Sequence, residues 1–199
     1  MRLVRFALFA GLALVALAGG GAPGQQPGKA TLEPGENLLA SLPQGWELGF
    51  SDRDGGRAVY EYVPAGDSVE DWREMMTVQI FFNLNSVPPP ALLDQMRAGF
   101  AAECESSGVD ALVERTVNGY PTARQLLFCG RGQQTGMGEA ALVLAVAGRD
   151  SFYVVQRAWR GDPFKGPAPA AVGALLAGWT QHLDSIRVCD TRDKSKPCD

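Results

Sequence analysis

Histidine is nearly missing from this chain: His182 is the only one in 199 residues. The other soft metal ligands are four cysteines, with no Cys-x-x-Cys pair among them, so few of the familiar metal sites can be assembled. Nucleophilic hydrolysis has one imidazole to draw on and no Gly-x-Ser-x-Gly elbow. Positive charge is in deficit, 18 Lys+Arg against 22 Asp+Glu, and the net −4 excludes a nucleic-acid binder driven by overall attraction to phosphate. Beyond the N-terminus no apolar run approaches membrane-spanning length. What remains is 46% hydrophobic residues and a 20% charged fraction, enough for one folded domain with a real core.

The N-terminus carries an address. Arg2 and Arg5 precede 13 uncharged, mostly apolar residues, Phe6 to Ala18, which end in Ala16-Leu17-Ala18, a small-x-small cleavage pattern. This is the layout of a secretory signal peptide over residues 1–18, with an uncleaved anchor as the other reading. Residues 19–36, rich in Gly, Pro and Gln, read as a flexible leader, residues 37–190 as the folded domain and residues 191–199 as a polar tail. The expected product is periplasmic or secreted, and soluble once the signal is removed.

Export changes the meaning of the cysteines. In an oxidising compartment an even number implies disulfides, and four allow three connectivities. The intervals favour Cys104–Cys129 and Cys189–Cys198. Loop-closure entropy makes the first worth about 3–3.5 kcal/mol and the second somewhat less.

Period-two alternation marks the strands. Met76, Val78, Ile80 and Phe82 face one way and Thr77 and Gln79 the other, while Ala58, Tyr60 and Tyr62 share a face of an earlier strand. Pro88-Pro89-Pro90 starts a helix over residues 90–105 with Leu93, Met96, Phe100 and Cys104 on one stripe. Asn118-Gly119 and Gly148-Arg149-Asp150 each close a hairpin. Val172, Leu175, Leu176, Trp179, Leu183 and Ile186 line a second helix over residues 168–186. Hairpin-sized links predict an α+β domain, a mainly antiparallel sheet of six to seven strands covered by two amphipathic helices.

The late hairpin ending Asp150-Ser151-Phe152-Tyr153-Val154-Val155, the strand end at Trp159, and a closing helix running into Leu183-Asp184-Ser185-Ile186-Arg187-Val188 together resemble the PsbP/Mog-type fold. Glu61-Tyr62-Val63-Pro64-x-Gly66 and Trp72-x-x-Met75-x-Thr77-x-Gln79 look like bacterial exported proteins of unassigned role. The resemblance implies an α/β/α layered body and an accessory or binding protein without catalysis.

Several polar groups invite a chemical reading. Arg157 shares a face with Tyr153, Val155 and Trp159; if that face meets the one carrying Gln79, then Tyr62, Trp72, Gln79, Arg157 and Trp159 would enclose an aromatic-walled pocket for an anion. The structural alternative has Arg157 lying over Trp159 or pairing with Glu61. His182 falls at the margin of its helix stripe, as an ordinary boundary residue does. Glu61, Glu70, Asp71 and Glu74 cluster near one loop and would be the acids of a hydrolase; Asp67, Glu70 and Asp71 lack the spacing of a calcium loop. Residues 130–138 look superficially like a phosphate loop but run into a strand. No cofactor, metal or nucleic acid is called for. The reading is a non-catalytic exported binding protein of the bacterial envelope, holding a protein partner or a small anionic ligand, with an envelope hydrolase using the loop carboxylates as the alternative.

Overall fold

Two helices cover only half of a sheet that is wider than they are. The structure is a computed structural model and describes residues 32–199. In chain order the elements are β1 (Glu36–Leu39), β2 (Trp46–Arg53), β3 (Arg57–Pro64), β4 (Glu74–Phe82), α1 (Pro89–Glu103), β5 (Ser107–Val109), β6 (Val113–Val117), β7 (Tyr120–Cys129), β8 (Gly138–Ala147), β9 (Ser151–Gly161), α2 (Ala170–Ser185) and β10 (Arg187–Asp190). The main sheet has eight strands in the order β2-β3-β4-β9-β8-β7-β5, with β6 also paired to β7. Every pairing is antiparallel. A separate two-stranded ribbon joins β1 to β10. The fold is α+β as expected, with one strand more in the main sheet and a ribbon that the alternation did not reveal.

The strands record their cover in their sequences. Strand β8 reads Glu-Ala-Ala-Leu-Val-Leu-Ala-Val-Ala after Gly138 and is buried along nearly its whole length. Its even positions, Leu142 and Leu144, meet Trp179 and Leu183 in the α2 layer, here called the front. Its odd positions, Ala141 and Val143, meet Leu93 and Met96 of α1 at the back. A strand covered on both faces has no need to alternate. Strand β2, at the bare edge, is exposed over seven of its eight residues and mixes Leu48 and Phe50 with Glu47, Asp52 and Arg53.

The two disulfides close the expected loops: Cys104 at the C-cap of α1 bonds Cys129 at the end of β7, and Cys189 of β10 bonds Cys198 in the tail that follows it. The hairpin turn at Asn118-Gly119 has positive φ at both residues (49° and 78°), the backbone that this pair tolerates best.

Ordered contacts also reach beyond residues 37–190 at both ends. Gly35 accepts a hydrogen bond from the Thr191 amide and donates its own to Thr191 Oγ1. Glu36, assigned to the leader, is the first residue of β1. Its carboxylate accepts the backbone N–H of Arg149 at 2.6 Å and the Tyr153 hydroxyl at 2.9 Å, with longer bonds from Asp150 and Ser151. The turn between β8 and β9 thus gathers three amide donors on one anion. Gly148 permits the approach, since a Cβ there would stand 2.2 Å from Glu36 Oε1. The tail is also part of the body: Lys196 donates to the Gly119 carbonyl and lies over the Tyr120 ring, and Arg192 pairs with Asp150 and Asp190. Residues 1–18, with the signal pattern, and the leader up to residue 31 lie outside the described residues.

Replacing Glu36 by Ala leaves those turn amides without their acceptor and is expected to cost about 1–3 kcal/mol. Urea unfolding at neutral pH measures it; a change below about 0.5 kcal/mol would show that water replaces the carboxylate freely.

Candidate functional site

Where α2 stops, the front of the sheet is open. Its floor there is Tyr60 and Tyr62 of β3 with Met76, Val78 and Ile80 of β4, and β1 with the following residues up to Leu42 forms a wall, leaving a groove of about 470 Å³. The register explains the floor: Tyr62 lies beside Met76, Tyr60 beside Val78 and Ile80 beside Tyr153, so successive cross-strand neighbours present aromatic or aliphatic groups to the same side. Three charged side chains line the groove, the acids Glu33 and Glu36 and the cation Arg53. Arg53 lies over the Phe82 ring at 4.8 Å.

Next to this floor, under α2, sits a polar network built on Arg157. Its place is fixed by register, beside Met76 of β4 and Leu142 of β8. Arg157 is 7% exposed. Its guanidinium meets Glu74 Oε2 at 3.3 Å, is 4.6 Å from the Trp46 ring centre and 5.8 Å from that of Trp179. The Trp179 indole N–H donates to the same Glu74 oxygen at 3.3 Å, and His182 Nδ1 stands 3.4 Å from Arg157 Nη1. Burial lowers the Arg157 pKa and the Glu74 carboxylate raises it in return. One guanidinium therefore ties together β2, β4, β9 and α2.

The five proposed pocket residues do not come together. Tyr62, Arg157 and Trp159 share the front face, but Gln79, paired with Val59 and Val154, points to the back. Trp72 packs with Val63 and Met75 in a small back-face cluster, beneath the Arg160 guanidinium at 4.1 Å. The assumption that failed is the coincidence of two faces: Gln79 and Arg157 sit at positions of opposite parity across the β4–β9 ladder. Trp159 is adjacent to Phe164, with ring centres 6.4 Å apart, rather than to a groove. Arg157 pairs with Glu74, not with Glu61, and lies over Trp46 and Trp179, not over Trp159. Its charge is matched by Glu74 and two indoles flank it, while its Nε–H has no hydrogen-bond partner among the described residues.

The loop acids also separate. Glu74 is held at the front by Arg157 and Trp179, whereas Glu61, beside Thr77, faces the back, where burial raises its pKa. Glu70 and Asp71 are exposed on the connecting loop. No pair of them faces another across a cleft. Among the described residues no three His, Cys, Asp or Glu side chains gather as a metal site would require, and no helix is long and apolar enough to cross a membrane.

Sequence reasoning missed the groove and the contacts of His182. The alternation of Tyr60, Tyr62, Val78 and Ile80 is visible in the sequence, but nothing local says that no helix will cover them. His182 sits half-buried at the margin of α2, as its place on the helix stripe predicts; its partners, the Ser41 carbonyl at 2.8 Å from Nε2 and Arg157 Nη1 at 3.4 Å from Nδ1, come from elements that the stripe does not show.

Arg157→Met is expected to cost about 3 kcal/mol, because it strands Glu74 beneath α2. Adding Glu74→Gln should recover at least about half of that loss. Equal stabilities of the single and double variants in urea would mean that the carboxylate is adequately solvated without its partner.

No family model matches the chain, and no curated protein matches it. Among solved structures it is similar to PA94, a protein of unknown function from Pseudomonas aeruginosa, with a TM-score of 0.46 and 10% identity over 75% of this chain and 94% of that one. It is similar to the same degree to a mutant form of the protein Mog1, with a TM-score of 0.46 and 12% identity over 78% of this chain and 92% of that one.

Proposed function

We propose that this is a non-catalytic binding protein of the bacterial envelope that takes an extended, mainly apolar segment of a partner protein along the front groove. The observation that carries the proposal is the groove whose floor is the half-buried Tyr60, Tyr62 and Ile80 over the buried Met76 and Val78, beside a strand with a spare edge. Strand β1 has β10 on one side and, among the described residues, no backbone partner on the other. A segment laid beside it would gain main-chain hydrogen bonds there, while alternate side chains rest on the tyrosine and aliphatic floor. Tyrosine suits such a surface, being large, stiff and able to hydrogen-bond at its tip.

The groove chemistry favours this occupant over a small anion. Two carboxylates line it against one cation, and that cation is already stacked on Phe82. Location outside the cytosol is supported by the signal pattern in residues 1–18 and by the enclosure of all four cysteines in two bridges, which a reducing compartment would oppose.

A photo-reactive phenylalanine analogue at the position of Tyr60 is expected to cross-link an envelope protein. Ile80→Glu should weaken that adduct about tenfold or more, by placing a charge on the apolar floor. The same analogue at Asp94, on the exposed side of α1, serves as the control. An adduct equal at both positions, or indifferent to Ile80→Glu, speaks against the groove. Independently, the exported form should begin near Gly19; intact mass finding residues 1–18 still attached to it would remove the cleaved-signal part of the proposal.

A further inference from the structure

The wall of the groove is tied down through the one histidine in the chain. Residues 40–45, between β1 and β2, include Ala40 and Leu42, both of which line the groove. This stretch, which carries the wall on from β1, is anchored near each end to the same guanidinium. At one end Trp46, which closes a turn on the Pro43 carbonyl, stacks on Arg157 directly. At the other, the Ser41 carbonyl is held by His182, which in turn faces Arg157.

The chemistry of the two contacts fixes the state of the ring. A carbonyl only accepts, so Nε2, at 2.8 Å from Ser41 O, carries the proton. The neutral ring then has its lone pair on Nδ1, directed at Arg157 Nη1, which donates. Protonation puts a second N–H on Nδ1, so donor meets donor and two positive groups stand 3.4 Å apart. The charged groups around the ring do not relieve this. Glu74 of β4 is bound to Arg157 and Trp179, and Asp184, beside His182 on α2, is held by Arg115 of β6 and Arg124 of β7. From the wall itself the ring meets a carbonyl, and on α2 the hydroxyl of Ser185 is turned back to the His182 carbonyl.

We propose that His182 is an acid-sensitive latch on the groove wall: neutral, it ties residues 40–45 to α2 and β9, and protonated, it is driven off Arg157 and lets the wall loosen so that the groove opens. The role of this latch as a gate rests on the groove being the binding site.

The direction of the pH response follows. Burial is the largest influence on the imidazole and lowers its pKa; the Ser41 carbonyl raises it, and the Arg157 charge lowers it again. A folded pKa below the ordinary value means that the latch is complete above about pH 6.5 and fails as the pH falls through the folded value. With a single histidine, few other groups titrate in this window; Glu61, raised by burial, lies on the opposite face.

An NMR titration of the disulfide-intact protein from about pH 7.5 to about pH 5 tests it, since the one imidazole reports its own protonation. The amides of Ser41, Leu42 and Gly45 are expected to shift with the same midpoint, and their hydrogen-exchange protection, corrected for intrinsic rates, to fall about tenfold. In His182→Gln, whose side-chain amide can still donate to the Ser41 carbonyl, the wall should not respond. A flat wall in the unaltered protein, or an equal response in the variant, overturns the latch. If the variant does not fold, the match or mismatch of midpoints in the unaltered protein decides. Uptake of anilinonaphthalene sulfonate separates the two claims. A wall that responds without dye uptake sensitive to Ile80→Glu keeps the latch and sinks the groove. Dye uptake that Ile80→Glu abolishes and pH leaves unchanged sinks the gate.

Discussion

Width is the constraint from which the rest of this molecule follows. Seven strand positions at a spacing of about 4.8 Å make a sheet about 30 Å across, since β5 and β6 share one edge of β7, while a helix with its side chains covers about 10 Å. One helix on each face cannot dry such a sheet. Helix α1 takes the back of β7 and β8, and α2 takes the front of β8 and β9. The chain has concentrated its continuously apolar sequence in β8, where both faces are covered, and has left β2, β3 and β4 to be finished by other means.

Those means differ between the two faces. At the back, β3, β4 and β9 carry Glu61, Thr77, Gln79 and Gln156, polar residues at home in water, and the loop bearing Val69 and Trp72 closes over Val63 and Met75. At the front, beyond the Glu74–Arg157 pair and α2, β3 and β4 stay apolar from Tyr60 to Ile80, and their cover there is a single segment, β1 and its continuation to Leu42. A wall one segment thick shields less than a helix does, which is why a groove lies beside it. The edge strand β2 guards itself with charges and with an irregularity at Gly49 that sends Leu48 and Phe50 to opposite faces, so that it offers no flat apolar strip to another sheet.

The fold was legible wherever the pattern is local. Alternation in β4, the stripe of Leu93 and Met96, the stripe of Val172, Trp179 and Leu183, and the Asn118-Gly119 turn each hold within one element, and helices, hairpins and layering all followed. Strands β1 and β10 were not legible because four residues carry too little periodicity, and each exists by pairing with a strand about 150 positions away. Strand β5, Ser-Gly-Val, is shorter still. The candidate site was less legible for a different reason. Parity along one strand says which residues share a face, but the relation between the faces of two strands depends on register, and Arg157 stands three positions, an odd number, from the partner of Gln79. Of the residues singled out in advance for a pocket, Tyr62 alone lines the groove.

Arg157 shows why a buried charge in a strand misleads. Read from sequence, an arginine flanked by aromatic residues resembles an anion receptor. In the fold its carboxylate partner, Glu74, comes from 83 positions earlier, and the indoles that flank it come from β2 and α2. An isolated pair of this kind gains little in net stability, since removing two charges from water offsets most of their attraction. An aliphatic residue at the same place would bury comparable area but would bind equally well in several orientations. The guanidinium, with donors in one plane and aromatic surfaces above, has few acceptable neighbours. Position is what it supplies: the angle of α2 over β9, the seat of Trp46, and through His182 the seat of Ser41. The one segment that covers the bare half of the sheet is thus referenced, where it leaves for β2, to a residue under the covered half, while Glu36 fixes its other end to the turn between β8 and β9.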